Sequence, residues 1–256
     1  MQNDSTTQTT AQKVSLAAHA LLAHANPLTK QQMNQLAQLL AHRLANRAGA
    51  TALEIGCGAG AFSLQVAQLC AVDIHAIDVH PGFLARARET AANSQLLGSV
   101  QFSAQDAAQL PAQTYDAVIC IGSSQAIGSP AQALAYCASL LKSGGTLLFA
   151  DLTWADVPNA EFLEFLGTEL DYYWLDSAEN AVLSNAGLRS IETLRASKAA
   201  WQSYESAVLQ GRLTYAQSLS QEEGQVVRQR AQAWADAYEQ NGKHFLGFTA
   251  YLLEAA

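Results

Sequence analysis

The sequence predicts an α/β fold: a mostly parallel sheet of seven strands with a reversed last strand and helices on both faces. Three observations predict it. Short apolar runs of strand length alternate with stretches of helical spacing, the order that builds a parallel sheet. A glycine-rich turn joins the first such run to the helix after it. The chain then closes on an apolar run, Leu246–Leu253, that follows a helical insertion and precedes no further helix.

The glycine turn organises the rest. Thr51–Ile55 is a buried-strand run, and Gly56, Gly58 and Gly60 break it. Ala61–Leu69 returns to helical spacing with Phe62, Val66 and Leu69 on one face. Without side chains at these positions the backbone turns tightly and a ligand can approach the main chain. The helix start beyond it offers unpaired N–H groups to polar or anionic atoms. Two nucleotide cofactors use such a turn. A dinucleotide fold wants Gly-x-Gly-x-x-Gly/Ala with an acidic residue about twenty positions on, and Gly56, Gly58, Ala61 and Asp78 satisfy it. The run Glu54-Ile55-Gly56-Cys57-Gly58-Ala59-Gly60 also fits acidic-x-Gly-x-Gly-x-Gly, and its strictness favours this second reading. It resembles the first motif of the class I S-adenosylmethionine-dependent methyltransferases, whose Rossmann-like sheet has seven strands.

Length and composition bound the reading. The 256 residues suit one domain with embellishments, and half are apolar. Only 14% are charged and the net charge is −8, which argues against a broad nucleic-acid or anionic-membrane surface. The four cysteines, Cys57, Cys70, Cys120 and Cys137, show no C-x-x-C and no zinc spacing with histidine, so no metal is expected. They read as reduced, buried thiols of a cytoplasmic protein. No apolar run reaches the 18 or so residues that span a bilayer. Val14–Ala25 ends in an Ala-His-Ala that imitates a cleavage site. It carries His19 and His24 and lacks a charged leader, so a helix is expected there, not a signal peptide.

In chain order, residues 1–10 are polar and expected to be disordered. A first helix is expected over Ala11–Ala25, ended by Asn26-Pro27. A second starts at the cap Thr29 and runs to Ala45, with Met33, Leu36, Leu39, Leu40 and Leu44 as its stripe. Val72–Asp78 alternates as the second strand and ends in a carboxylate where ligands of open α/β sheets bind. Pro81 opens a helix to Ala92. Val100–Phe102 is a short third strand, and Tyr115–Gly122 is the central fourth. Pro130–Leu141 is helical, and Leu141–Ala150 is a turn into the fifth strand. Asp151–Gly187 reads as mostly helical and aromatic-rich, and Leu188–Leu194 as strand six. Ser197–Ser218 and Glu222–Gln240 read as two helices.

The resemblance implies a role for particular residues. Glu54, Gly56, Cys57, Gly58 and Gly60 would form the cofactor's turn, with Cys57 there for packing. Asp78 would accept hydrogen bonds from the ribose hydroxyls, beside Val79, and Phe83 would flank the adenosine. Gln105-Asp106-Ala107 resembles the adenine motif, with Asp106 accepting from the amino group and the Ala107 N–H serving a ring nitrogen. Cys120, Ile121 and Gly122 would meet the methionine part. Ser143 replaces the proline of the family's L-x-P-G-G segment. Asn26-Pro27-Leu28, Trp201 with Tyr204-Glu205, and Trp234-x-x-x-Tyr238…Leu246-Gly247-Phe248 together resemble a bacterial family of stand-alone small-molecule-type methyltransferases.

That likeness implies a single domain over residues 11–256, with helical lids at 11–46, 151–187 and 197–240 covering the site. The cofactor would be S-adenosyl-L-methionine, leaving S-adenosyl-L-homocysteine, and the partner a small-molecule acceptor rather than nucleic acid or membrane. Ser123, Ser124, Trp154, Trp201 and Tyr204 would bound the acceptor. Ser123-Ser124-Gln125 departs from the family's pattern and leaves the acceptor and the oligomeric state open. His24, His80, Tyr173 and His244 are the available bases, none of them singled out. The alternatives are a nicotinamide-dependent oxidoreductase, a non-catalytic S-adenosylmethionine-binding protein, and a protein or RNA methyltransferase.

Overall fold

The computed structural model describes residues 9–256. Its seven strands are β1 (Thr51–Ile55), β2 (Asp73–Asp78), β3 (Ser99–Ala104), β4 (Tyr115–Ile121), β5 (Leu141–Trp154), β6 (Leu188–Arg195) and β7 (Leu246–Ala255). They form one sheet in the order β3-β2-β1-β4-β5-β7-β6. The first five pair in parallel, and β7 runs antiparallel to both β5 and β6. The reversed last strand is where the sequence puts it. The nine main helices are α1 (Thr10–Ala18), α2 (Lys30–Ala45), α3 (Ala61–Leu69), α4 (Pro81–Ala92), α5 (Pro130–Ser139), α6 (Ala160–Leu166), α7 (Glu179–Asn185), α8 (Lys198–Gln217) and α9 (Gln221–Ala237).

Side chains alternate across a strand with period two. On β4, Ala117 and Ile119 therefore join the core under α2 and α3, while Val118 and Cys120 join the core under α5. The central strands are buried on both faces, which is why they read as unbroken apolar runs. Residues 1–8 lie outside the described part, so the expected disorder over 1–10 is met only at its edge. There Thr9 closes a capping box with Gln12 and Thr10 already belongs to α1.

Three sequence expectations need correction. The first helix stops at Ala18, not Ala25. Residues 19–26 run as turns and bends, and Asn26 and Pro27 are buried. Asn26 Oδ1 accepts the Leu28 N–H at 3.0 Å, a local turn that competes with helix. β5 also continues through Asp151–Trp154, because β7 pairs with it to Trp154↔Leu246. The lid after the sheet thus begins beyond Trp154. Leu69, expected on the buried face of α3, is exposed.

The lower edge of the sheet is latched by Asp116. Its carboxylate accepts the Thr51 N–H at 2.9 Å and pairs with Lys142 at 2.8 Å and Arg47 at 3.1 Å. These donors outweigh the cost of burial and hold Asp116 well below the usual carboxylate range. A depressed carboxylate stabilises the fold above its unfolded value and loses that contribution as pH falls through the folded value. Asp116→Ala leaves two cations without their partner and should cost about 3 kcal/mol at pH 7, or roughly 6–12 °C in melting temperature. Thermal melts at pH 7 and pH 3 check it: a smaller difference at pH 3 is expected, and an equal one would contradict the ionic account.

Candidate functional site

The sheet order reverses at β1 and β4. From β1 the chain proceeds to β2 and β3 on one side, and from β4 to β5 on the other. Ligands of open α/β sheets bind at such a switch point, at the carboxyl ends of the strands. β1 and β4 pair to Ile55↔Cys120, so the turns that follow them meet. Gly56, Gly58 and Gly60 all take positive φ, +70°, +53° and +73°. The turn is held by three further contacts. Gly58 N–H donates to Asp78 Oδ2 at 2.8 Å, Cys57 N–H donates to the Ile77 carbonyl at 2.9 Å, and Ser123 Oγ donates to the Gly56 carbonyl at 3.3 Å.

The glycines differ in what surrounds them. A Cβ at Gly56 would stand 2.2 Å from Ser123 Oγ, and one at Gly60 would stand 2.5 Å from the Phe102 ring, so these two pack the turn. A Cβ at Gly58 would meet nothing within 4 Å. It would project into a cavity of about 480 Å³ that runs over the turn and the start of α3. Glu54, Gly56, Cys57, Gly58, Phe83 and Ile121 lie in that cavity's walls, and residues 19–26 roof it. α3 begins with no side chain capping it, so its leading N–H groups are open to a ligand.

A second cavity, about 300 Å³, lies on the far side of Asn26. Ala25 and Asn26 belong to the walls of both. Ile121 faces the first and Gly122, at φ +64°, lines the second. Its other walls come from β5 (Asp151, Leu152), the segment after α6 (Thr168, Tyr173), α8 (Trp201, Tyr204, Glu205), α9 (Trp234) and β7 (Phe248).

Burial shifts several ionisable groups in the two cavities. Burial lifts Glu54 to about 7 against the pull of Ser63, whose hydroxyl and N–H stabilise the anion, with Asp78 adding repulsion. Burial likewise raises Cys57, so that thiol carries no nucleophilic thiolate. It also raises Asp151, although the Leu152 and Ser124 N–H groups donate to it at 2.7 and 3.2 Å. Glu205 is raised by burial too, with the Trp234 indole N–H donating to Oε2 at 2.7 Å. Tyr173 and Tyr204 are pushed up to about 12 by burial.

Comparison with known proteins agrees with this geometry. A protein-family model described as a methyltransferase domain matches residues 52–145. Those residues resemble a methyltransferase domain. They carry the glycine turn, Asp78 and all of β4. An SAM-dependent methyltransferase of Thiobacillus denitrificans, crystallised with S-adenosyl-L-homocysteine, superposes with a TM-score of 0.82 at 22% identity, covering 95% of this chain and 98% of that one. One from Geobacter sulfurreducens, also with S-adenosyl-L-homocysteine, gives 0.84 at 19% identity over 95% and 98%. These likenesses show a shared fold. A ubiquinone biosynthesis O-methyltransferase of Xanthomonas axonopodis pv. citri is 33% identical over 154 residues, 56% of this chain and 64% of that protein. The chain thus spans less than two thirds of that relative, and about half of the next, from Xanthomonas campestris.

Within the matched stretch several of the expected site residues stand outside the walls of both cavities. Cys120 points to the α5 face, opposite Ile121, and is fully buried away from either cavity. Val79 is exposed. Asp106 is exposed and caps a short turn by accepting the Ala108 N–H at 3.0 Å. Ala107 is buried, and neither lines a cavity. Asp78 sits behind the turn, with one oxygen on Gly58 N–H and the other on His80 N–H at 2.7 Å.

Of the residues expected to bound the acceptor, Trp201 and Tyr204 line the second cavity and Trp154 does not. It is a fully buried strand residue whose indole N–H donates to the Leu170 carbonyl at 2.9 Å. Ser123 and Ser124, both buried, brace the turns rather than face the cavity: Ser123 through its hydroxyl, Ser124 through its N–H on Asp151. Of the four bases considered, Tyr173 lines the second cavity and His24 the first. His80 is buried and tied to the Gln12 carbonyl at 2.8 Å and to the Phe83 N–H at 3.3 Å, while His244 is exposed and lines neither. The sequence reading missed Asn26, Gln125, Asp151 and Glu205. Asp151 had a signal: like Asp78, it is a carboxylate at the end of a strand's apolar run.

Glu54 yields a test of the cleft's electrostatics. Between its ordinary 4.5 and about 7 the unfolded chain releases this proton before the folded one does. Stability therefore falls with rising pH across that window, by about 3 kcal/mol in full above pH 7. Glu54→Gln should raise the ligand-free melting temperature by roughly 6–10 °C at pH 8 and hardly at all at pH 4. Equal shifts at both pH values would refute the burial argument.

Proposed function

We propose that the protein is an S-adenosyl-L-methionine-dependent methyltransferase acting on a small-molecule acceptor. The observation that carries the reading is the pair of cavities meeting at Asn26, one over the glycine turn and one beside Gly122. A methyl donor in the first and an acceptor in the second would face each other across the carboxyl ends of β1 and β4. The matched methyltransferase domain and the donor product in the two structural neighbours support the same assignment. The curated relatives' name points to a small-molecule acceptor.

The residues present fit such a cofactor. Gly58 has open space where a side chain would stand. The Asp78 carboxylate uses one site on each oxygen for a backbone N–H, and its remaining lone pairs can accept from two ribose hydroxyls. Phe83, in the first turn of α4, offers a ring to the adenosine. Asp106 and the Ala107 N–H, on the loop after β3, would hold the adenine edge. Glu54, buried and reluctant to ionise alone, is a partner for the cofactor's ammonium, whose charge would draw its pKa down. Ile121 and Gly122 would border the methionine part.

When bound, the cofactor supplies a methyl group activated on a sulfonium. The chain's own task is alignment: orienting two reactants can supply on the order of 7–11 kcal/mol. The 19–26 segment, over the first cavity and the edge of the second, and the insertion after β5 with α8 and α9, over the second, act as lids and exclude water. A nicotinamide dinucleotide would use the same glycine turn, but the strict Gly-x-Gly-x-Gly after Glu54 favours the sulfonium cofactor. A protein that bound it only to sense it would have no use for the second cavity. The reading includes a cytoplasmic location, resting on four buried, unpaired thiols. It excludes nucleic acid as acceptor on the net charge of −8.

Calorimetric titration with S-adenosyl-L-homocysteine tests the site. Gly58→Val should abolish binding, because the side chain fills the cofactor's space, while circular dichroism shows the sheet and helices retained and the positive φ at this position lowers the melting temperature. Asp78→Asn should weaken binding at least tenfold. Wild-type affinity in both variants would remove the cofactor from this turn.

A further inference from the structure

We propose that the acceptor is an amine, methylated on nitrogen, and that Glu205 receives its proton. The inference rests on the two-cavity reading above and concerns only the second cavity. Two acidic side chains, Asp151 and Glu205, stand in its walls, and no Lys, Arg or His does. Five aromatic rings line it: Tyr173, Trp201, Tyr204, Trp234 and Phe248. Carboxylates combined with aromatic faces are the surroundings that select an ammonium group. A phenolate or carboxylate acceptor would instead enter against two like charges.

Each acidic group is placed to act on a ligand. The Trp234 indole donates to Glu205 Oε2 and leaves Oε1 without a hydrogen-bond donor among the described residues. Arg212, on the same helix, attracts Glu205 but lines the outer groove between α1 and α9 rather than this cavity. His19, which accepts from Tyr204 Oη at 3.3 Å, lies on the other side of that ring, in the cofactor cavity. Asp151 is 5% exposed and held rigid by the Ser124 and Leu152 N–H groups. Trp201 is 6% exposed and carries the one buried side-chain nitrogen or oxygen without a hydrogen-bond partner among the described residues, its indole N–H. A ligand oxygen on the same molecule as the amine would satisfy it, since an orphaned buried donor costs about 1–3 kcal/mol.

The charge balance favours nitrogen. The acceptor enters as an ammonium, and its proton passes to Glu205. The freed lone pair forms the N–CH₃ bond as the S–CH₃ bond breaks with its electron pair left on sulfur. Positive charge thereby leaves the sulfonium and arrives on the nitrogen, where Asp151 and the aromatic faces hold it. The curated relatives are named for transfer to oxygen, and the likeness to the first of them runs over 154 residues, 56% of this chain; the family model ends at residue 145. Of this cavity's walls it includes only Gly122 and Gln125.

The probes are choline, its neutral isostere 3,3-dimethylbutan-1-ol, and catechol, each titrated into protein saturated with S-adenosyl-L-homocysteine. Choline should bind at least tenfold tighter than its isostere and than catechol. Glu205→Gln and Asp151→Asn should each erase most of that preference while leaving S-adenosyl-L-homocysteine affinity within about twofold. Equal binding of choline and the isostere to the wild type, or tighter binding of catechol, would overturn the amine reading alone. Failure of S-adenosyl-L-homocysteine to bind in the first place would overturn the cofactor reading beneath it.

Discussion

The parallel pairing of β1 with β4 is the constraint on which the rest depends. Because the chain leaves these neighbours towards opposite edges of the sheet, nothing covers the gap between their carboxyl ends. The glycine turn after β1 and the Gly122 turn after β4 fill that gap with backbone rather than side chains. Ser123 Oγ on the Gly56 carbonyl fixes the distance between the two turns. Everything functional is arranged around this one discontinuity.

Burial by period two then sorts the chemistry. Glu54 and Ile121 share the face towards α2 and α3, and Ile55 and Cys120 share the other. A polar ligand over the turn therefore meets a carboxyl group and a main-chain edge, not a thiol. The lids add what the sheet cannot. α1 packs so closely on α8 that a Cβ at Gly211 would stand 2.3 Å from the Ala17 carbonyl. The buried Asn26 that follows α1 thus becomes a shared wall between two cavities.

The sheet and the glycine turn were legible because local rules govern them. Positive φ needs glycine at Gly56, Gly58 and Gly60, and a proline opens α4 and α5. The acceptor half was legible only in part. Trp201 and Tyr204 do line the second cavity, whereas Trp154, equally aromatic, is spent on the core. Aromatic content does not say which ring faces a void. Asp151 and Glu205 are 54 positions apart in the sequence and converge only because β5 and α8 pack against the same opening. The early stop of the first helix had the same origin: the chain turns at His19 to roof the cleft, a tertiary demand that overrides helical spacing.

The central claim is that this gap in the sheet receives S-adenosyl-L-methionine. A thermal-shift comparison of S-adenosyl-L-homocysteine with NAD, both at saturating concentration, tests it most directly. A ligand present at 100 times its dissociation constant stabilises the folded state by about 2.7 kcal/mol, roughly 5–10 °C for a chain of this size. The account predicts that rise for S-adenosyl-L-homocysteine and none for NAD. A rise with NAD, or with neither, would contradict it.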